Sequence, residues 1–445
     1  MTTVDTIVLF GATGDLARKL LFPALYRLEE RQCLSQRIIG VALDDWTDAR
    51  LAEHVTQSAR DAVADADGEI LRRLTSRLQY VAGNYSDTAT FDRLAEAVGD
   101  GSCLHYMAIP PSLFETVIGS LSKVGLLESG RLLVEKPFGR DLTSARELNS
   151  FLNGLTAESS IYRIDHFLGK EPVENLLTFR YANPIIDAIW NRHFVDRVEI
   201  TMSESFGVDG RGALYDSLGV VRDVVQNHVL QIVSLLTMEA PVTPAPDAYA
   251  DERVKVLRAI ATLSQDDMVY GQYSGYRDVA HVAPNSRTAT FASFSLAINT
   301  PRWYGVPFLI SAGKALDTTI TKAEVVFRAS PPLPFDPDPE LPEPNRLVFR
   351  IGPSDGVDLV VQTKLPGIGL HLATTPLTVD YDQVFGRIPL AYERVLYDAL
   401  TGDRTQFARQ DAVEEAWRIV DNITDPAEDP IVYPVGSAGP STGDQ

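Results

Sequence analysis

Thr6-Ile-Val-Leu-Phe10 runs directly into Gly11-Ala-Thr-Gly14-Asp-Leu-Ala17, and a helical pattern follows from Asp15 to about Glu30. A continuous apolar, β-branched run is the mark of a strand buried on both faces. A buried strand that turns sharply into a helix leaves backbone N–H groups free at the helix start. Glycines there let a pyrophosphate come close. Gly11, Thr13, Gly14, Asp15 and Leu16 are therefore the candidate dinucleotide contacts. The fingerprint is poor in glycine, and a tight strand–helix turn without a ligand reads the same way.

The pattern repeats outward from this turn. Ile38–Ala42, Leu78–Ala82, Leu104–Ala108 and Arg131–Glu135 read as further strands, with helical segments such as Phe91–Val98 and Leu113–Lys123 between them. Alternating β and α predicts an α/β, Rossmann-type doubly wound domain over residues 1–150. The next stretch, 151–433, reads as a larger α+β domain with a mainly antiparallel sheet. Its helices are expected at 144–156, 171–181, 216–238, 389–401 and 408–422. Its strands are expected at Val198–Ser203, Thr288–Ala297, Phe308–Ser311, Val325–Arg328, Leu347–Ile351 and Leu359–Thr363. The stretch from Ser330 to Pro339 and the loop near Ala240 are rich in proline, which breaks both helix and strand. Residues 434–445, rich in Gly, Pro and Ser, are expected to form a disordered tail.

The chain has 445 residues, 45% apolar and 22% charged, an ordinary globular composition. No apolar run approaches the ~20 residues of a membrane helix. The start lacks a basic segment and an apolar signal core, so the expected location is cytoplasmic. Cys33 and Cys103 cannot build a disulfide framework, and neither sits in a CxxC pair that would suggest a metal site. Forty Lys and Arg against sixty Asp and Glu leave a formal charge of −20. That field repels polyanions, so no nucleic-acid partner is expected. An anionic small substrate needs a local cluster of cations.

Four more segments carry chemistry. Asp44 and Asp45 follow the second strand, where a carboxylate suits the ribose hydroxyls of NAD and an arginine would suit a 2′-phosphate; no basic residue follows until Arg50. Lys136, in Glu135-Lys-Pro137-Phe-Gly-Arg140, lies just past the end of a parallel strand, and the proline after it has access to a cis peptide. Arg163-Ile-Asp165-His166-Phe167-Leu-Gly-Lys170 gathers a carboxylate, an imidazole and two cations, and His166 with Lys170 suits a phosphate. Arg222-Asp223-Val-Val-Gln226-Asn227-His228-Val-Leu-Gln231 sits in a helix apolar all round, hence buried. Polar groups there are costly without partners. They form either an internal hydrogen-bond cluster or the polar face of a pocket.

Taken in order, GxxGDLA, EKPFG, RIDHxLGKE and RDxxQNHxLQ resemble the glucose-6-phosphate dehydrogenase family from about residue 6 to 433. Glu204–Gly212, Ala312–Leu316 and Phe407–Trp417 are similar to further family segments. The resemblance implies oxidation of glucose 6-phosphate at C1 by NADP, the family default, or by NAD, at the entry to the pentose phosphate pathway. It implies His228 as general base and Asp165 as its partner. It implies Lys136, His166, Lys170, Glu204, Asp223 and Lys314 as sugar-phosphate contacts, with Lys136 also facing the cofactor. It implies a homodimer or a dimer of dimers. The chain departs from the family pattern at four places: Leu20 stands for a third basic residue, Phe167 for a tyrosine, and Leu43 followed by Asp44 for the ribose-side arginine. No second cation follows Lys314 until Lys322. Leu43 and Asp44 favour NAD. Leu20 and Phe167 motivate the alternative of an NAD-linked dehydrogenase acting on free glucose or another C6-modified hexose. A catalytically silent binding homologue is the third reading, opposed by the intact Asp165 and His228.

Overall fold

The computed structural model describes residues 3–333 and 341–440. They form two units. The first carries a six-stranded sheet built from β1 (Thr6–Phe10), β2 (Arg37–Ala42), β3 (Leu78–Ala82), β4 (Cys103–Met107), β5 (Arg131–Val134) and β6 (Ile161–Arg163). The order is β3-β2-β1-β4-β5-β6 and every pairing is parallel. This is the doubly wound arrangement, with its switch of direction between β1 and β4. All five residues of β1 are buried, as its unbroken apolar run requires.

The sequence reading ended this domain at residue 150, but the first unit continues to Lys170 and takes in Thr243–Ala250 and Pro389–Glu414. The reason is pairing and burial. β6 extends the sheet, and Val395, Leu396, Ala399, Leu400 and Phe407 belong to the same apolar core as β1. Arg131 donates to the carbonyls of Ala399 and Leu400, both at 2.7 Å.

The second unit holds a nine-stranded sheet: β7 (Val195–Ser203), β8 (Met268–Tyr273), β9 (Phe291–Ala297), β10 (Pro307–Gly313), β11 (Ile320–Phe327), β12 (Arg346–Gly352), β13 (Gly356–Lys364), β14 (Leu372–Asp380) and β15 (Ile431–Tyr433). The order is β14-β13-β12-β11-β7-β10-β9-β8-β15. It is antiparallel except where β7 pairs β10 and β8 pairs β15. The sequence reading missed β6, β8, β14 and β15. β14 is largely exposed and β6 and β15 are three residues long, so none of these three shows the inward–outward alternation of a half-buried strand.

Two further expectations change. The helix expected at 216–238 begins at Gly212 and is broken at Gly219, whose φ of +64° L side chains rarely adopt. A widened helical turn, Val221–Val229, and a regular helix, Leu230–Thr237, follow. Residues 434–440, read as the start of a disordered tail, pack on the sheet instead: Ser437 bridges to Leu316, and Gly436 donates to the Ala315 carbonyl at 2.8 Å. Residues 441–445, and 334–340 of the proline-rich stretch, lie outside the described residues. Among the described residues no helix is long and apolar enough to cross a membrane.

The turn after β1 leaves no room for a side chain. Gly11 has φ +78°, and a Cβ there would lie 2.2 Å from the Ala108 carbonyl oxygen, backbone that cannot yield. Gly11→Ala should therefore cost about 2 kcal/mol or more. Gly14→Ala, where the nearest atom is at 3.2 Å, should cost less. Urea unfolding midpoints of the two variants measure the difference, and equal midpoints would show that β1 does not depend on a glycine at its end.

Candidate functional site

In the first unit the glycine turn is braced from behind. The Tyr85 hydroxyl accepts from Gly11 N–H and donates to the Val41 carbonyl, both at 2.9 Å. The first-turn amides of the following helix, Asp15 and Leu16 among them, have no intrahelical acceptor and suit an anion. Thr13 donates through Oγ1 to Asp44 Oδ2 at 2.7 Å, which places the end of β2 across the mouth of the turn. The Tyr80 hydroxyl holds the Asp44 carbonyl at 2.8 Å. Leu43 beside it is 70% exposed. Asp15 pairs with Lys19 at 2.9 Å, and that hydrogen bond holds its carboxyl below the ordinary range.

Lys136 stands two residues past the end of β5, and its peptide to Pro137 is cis. The Glu135 side chain accepts from the Tyr106 hydroxyl at 2.6 Å and from Tyr392. Burial pushes the Glu135 carboxyl up in spite of these donors. The segment after β6 is folded on itself. Asp165, 3% exposed, accepts the Phe167 N–H through Oδ1 at 3.0 Å and the Leu168 N–H through its carbonyl at 2.9 Å. The His166 ring lies parallel to Tyr392 with centroids 6.2 Å apart, and edge-on to Phe167 at 5.0 Å. Lys170 Nζ sits 4.2 Å from the centre of the Phe167 ring. His166, Phe167 and Lys170 thus form one cluster, and the ring without a hydroxyl serves as a surface for the ammonium.

In the second unit the parallel pairing of β7 with β10 sets Gly313 opposite Ser203, so the next residues, Glu204 and Lys314, emerge side by side. Lys314, 3% exposed, hydrogen-bonds the Glu204 carboxylate, and its Nζ is 3.5 Å from Asp223 Oδ2. The Tyr215 and Phe206 rings flank it at 5.1 and 5.9 Å. A buried ammonium needs this much neutralisation, because desolvating one unpaired charge costs several kcal/mol. Asp223 and His228 lie five residues apart on the widened turn. In a regular helix that spacing would rotate them about 140° apart. A widened turn brings them close to one face. His228 is 3% exposed, and its backbone N–H donates to Asn227 Oδ1 at 2.6 Å.

The structure gathers Glu204, Asp223 and Lys314 in the second unit, with His228 one turn beyond Asp223. It gathers His166 and Lys170 in the first. Asp165 belongs to the first unit and His228 to the second. The sequence reading did not find Tyr106 and Tyr392 around Glu135 and His166, nor Tyr215, Phe206 and Tyr433 around Lys314. These are single aromatics far apart in the chain, and no spacing marks them. Phe206 and Tyr215 lie in or beside Glu204–Gly212, a segment similar to one of the family's.

Comparison with known proteins agrees over nearly the whole chain. Residues 8–175 match the family model "Glucose-6-phosphate dehydrogenase, NAD binding domain", and residues 177–445 match "Glucose-6-phosphate dehydrogenase, C-terminal domain". Glucose-6-phosphate 1-dehydrogenase 1 of Mycobacterium bovis is 42% identical over 440 residues, covering 98% of this chain and 93% of that one. The crystal structure of glucose-6-phosphate 1-dehydrogenase from Mycobacterium avium superposes with a TM-score of 0.91 at 42% identity, covering 99% and 96% of the two chains. A structure described as glucose-6-phosphate dehydrogenase in complex with its substrate glucose-6-phosphate superposes with a TM-score of 0.93 at 35% identity, covering 100% and 97%. With both domain models matched end to end and the fold shared, the chain belongs to the glucose-6-phosphate dehydrogenase family.

Proposed function

We propose that this protein oxidises glucose 6-phosphate at C1 and releases 6-phosphoglucono-lactone. The observation that carries the reading is the Lys314 ammonium held between the Glu204 and Asp223 carboxylates on the unit that also presents His228. Such an array supplies donors and acceptors to vicinal sugar hydroxyls. His228 takes the proton from the C1 hydroxyl, the part of a general base that histidine most often fills. Asp165 is assigned the role of carboxylate partner that the family resemblance implies for such a base. In this reading His166 and Lys170 bind the phosphate, and Lys136 serves both substrate and cofactor. A nicotinamide dinucleotide, when bound, accepts the hydride. The residues fit such a group: the turn after β1 offers first-turn amides and a glycine where any side chain would meet the Ala108 carbonyl.

We read the cofactor choice from the end of β2. Thr13 and Asp44 are already hydrogen-bonded, and Leu43 brings no cation. A 2′-phosphate would meet the Asp44 charge, whereas the ribose hydroxyl of NAD could donate to it. Substantial use of NAD follows. The expected assembly is a dimer or a dimer of dimers. Its surface is the outer strand of the large sheet, β14, where Leu377 is 57% and Val379 39% exposed.

Five measurements test these readings. Steady-state rates with glucose, glucose 6-phosphate and a C6-sulfonate should favour the phosphate ester. His228→Ala should lower kcat by about 10²–10⁴-fold with the fold intact. Lys170→Ala should raise KM for the phosphorylated sugar by about one to two orders of magnitude and leave free glucose little changed. A preference for free glucose would instead support the C6-modified alternative, and no turnover at all the silent one. For the cofactor, kcat/KM with NAD and NADP is compared in the native enzyme and in Leu43→Arg/Asp44→Ser. The substitution should improve NADP by about ten- to a hundredfold, and an unchanged ratio would remove the end of β2 from the choice. For assembly, sedimentation velocity should give at least a dimer, and Leu377→Lys should weaken it. A single-protomer mass for the native chain would refute the pairing.

A further inference from the structure

Lys314 is held through its backbone as closely as through its ammonium. Its N–H donates to the Thr290 carbonyl at 3.0 Å. Its carbonyl accepts the Tyr433 hydroxyl at 2.6 Å. A phenol carries one proton, so in the 2.9 Å contact between Tyr433 and Thr290 the threonine hydroxyl must be the donor. Thr290 Oγ1 accepts the Tyr273 N–H in turn, at 3.0 Å. The Gly271 carbonyl, its other possible acceptor, is at the limit of 3.5 Å. A directed relay therefore runs from Tyr273 N–H through Thr290 and Tyr433 to the Lys314 carbonyl, and both backbone groups of Lys314 end on Thr290.

The next residue shows why such a clamp is needed. Ala315 has φ +53°, a left-handed conformation that a residue with a side chain adopts only under constraint. Its N–H donates to the Phe206 carbonyl at 3.0 Å, and its carbonyl accepts Gly436 N–H at 2.8 Å. Leu316 N–H reaches the Glu204 carbonyl at 3.0 Å, and Asp317 N–H the Ser437 carbonyl at 2.9 Å. The turn that delivers Lys314 is thus stitched to the Glu204 segment on one side and to residues 433–437 on the other. The relay is dry: Thr290 is 0%, Tyr433 2% and Lys314 3% exposed. Burial holds the Tyr433 phenol above its ordinary range, so its proton stays on the oxygen.

We propose that Tyr433 is a positioning residue for the sugar site, and that its hydroxyl, relayed from Thr290, holds the Lys314 turn so that the ammonium faces Glu204 and Asp223. The segment from β15 to Gly436 is then a working part of the site. The proposal rests on the reading of Lys314 as a sugar contact, and the test has one arm that does not. Tyr433→Phe removes the hydroxyl and keeps the ring against Phe291 and Tyr273. Thr290→Val removes the relay donor, and Thr290→Ser restores it.

The first arm measures acetylation of Lys314 by limiting acetic anhydride, followed by peptide mass spectrometry. Tyr433→Phe should label about tenfold faster than the native chain, the scale of one lost buried hydrogen bond. Thr290→Val should shift the same way and Thr290→Ser should match the native rate. Unchanged labelling in both Tyr433→Phe and Thr290→Val overturns the clamp whatever the activity. The second arm measures kinetics. KM for glucose 6-phosphate should rise about tenfold in Tyr433→Phe while KM for the dinucleotide stays within about twofold. A variant that loses thermal stability but keeps the native sugar KM shows a merely structural role and overturns the proposal. If the native protein fails to turn over glucose 6-phosphate, the functional reading falls, and the labelling arm alone decides the clamp.

Discussion

A lysine ammonium taken out of water is the constraint around which the second unit is arranged. Lys314 is 3% exposed, and breaking a buried ion pair by removing one partner typically costs about 3–5 kcal/mol. Two carboxylates must therefore reach it from different parts of the chain. Glu204 arrives because β7 and β10 pair in parallel, the exceptional pairing in the interior of an otherwise antiparallel sheet. Asp223 arrives because the helix that carries it breaks at Gly219 and restarts with a widened turn. The left-handed Ala315 lets β10 leave the sheet directly after the lysine. Each irregularity near the site serves the same electrostatic requirement.

The first unit meets a different demand with similar means. A parallel sheet buried on both faces leaves no room for side chains where β1 meets its helix, so Gly11 lies against the Ala108 carbonyl. The same geometry frees the amides that suit a phosphate. Thr13 bonded to Asp44 then joins the turn to the end of β2 through one hydrogen bond. The phosphate-type cluster is built otherwise. Phe167 has no hydroxyl, and its ring lies under Lys170 and against His166. The Lys170 ammonium is held over the face of the Phe167 ring.

Much of this was legible in the chain. The strand–turn–helix at Thr6–Ala17 could be read because its periodicity and its glycines are local. The polar residues at 163–170 and 222–231 stood out because charge inside an apolar setting demands partners. The break at Gly219 was not legible, since a glycine in a helical run is tolerated as often as it ends one. Exposed β14 and the short β6 and β15 lack a hydrophobic signature. The packing of residues 434–440 was hidden by a composition that reads as tail, because their partners, Ala315, Leu316 and Asp317, are more than a hundred residues away.

What the sequence determined by itself was the candidate residues for chemistry and the class of each domain, since strand burial, helical period and motif spacing act over a few residues. What only the tertiary structure decided was which groups share an environment. Glu204 and Lys314 meet through strand pairing, Tyr392 meets His166 and Glu135 across more than two hundred residues, and the Tyr433 hydroxyl, itself bonded to Thr290, donates to the Lys314 carbonyl. Such contacts depend on sheet order and on the cost of leaving a buried polar group unsatisfied, and both belong to the folded chain as a whole.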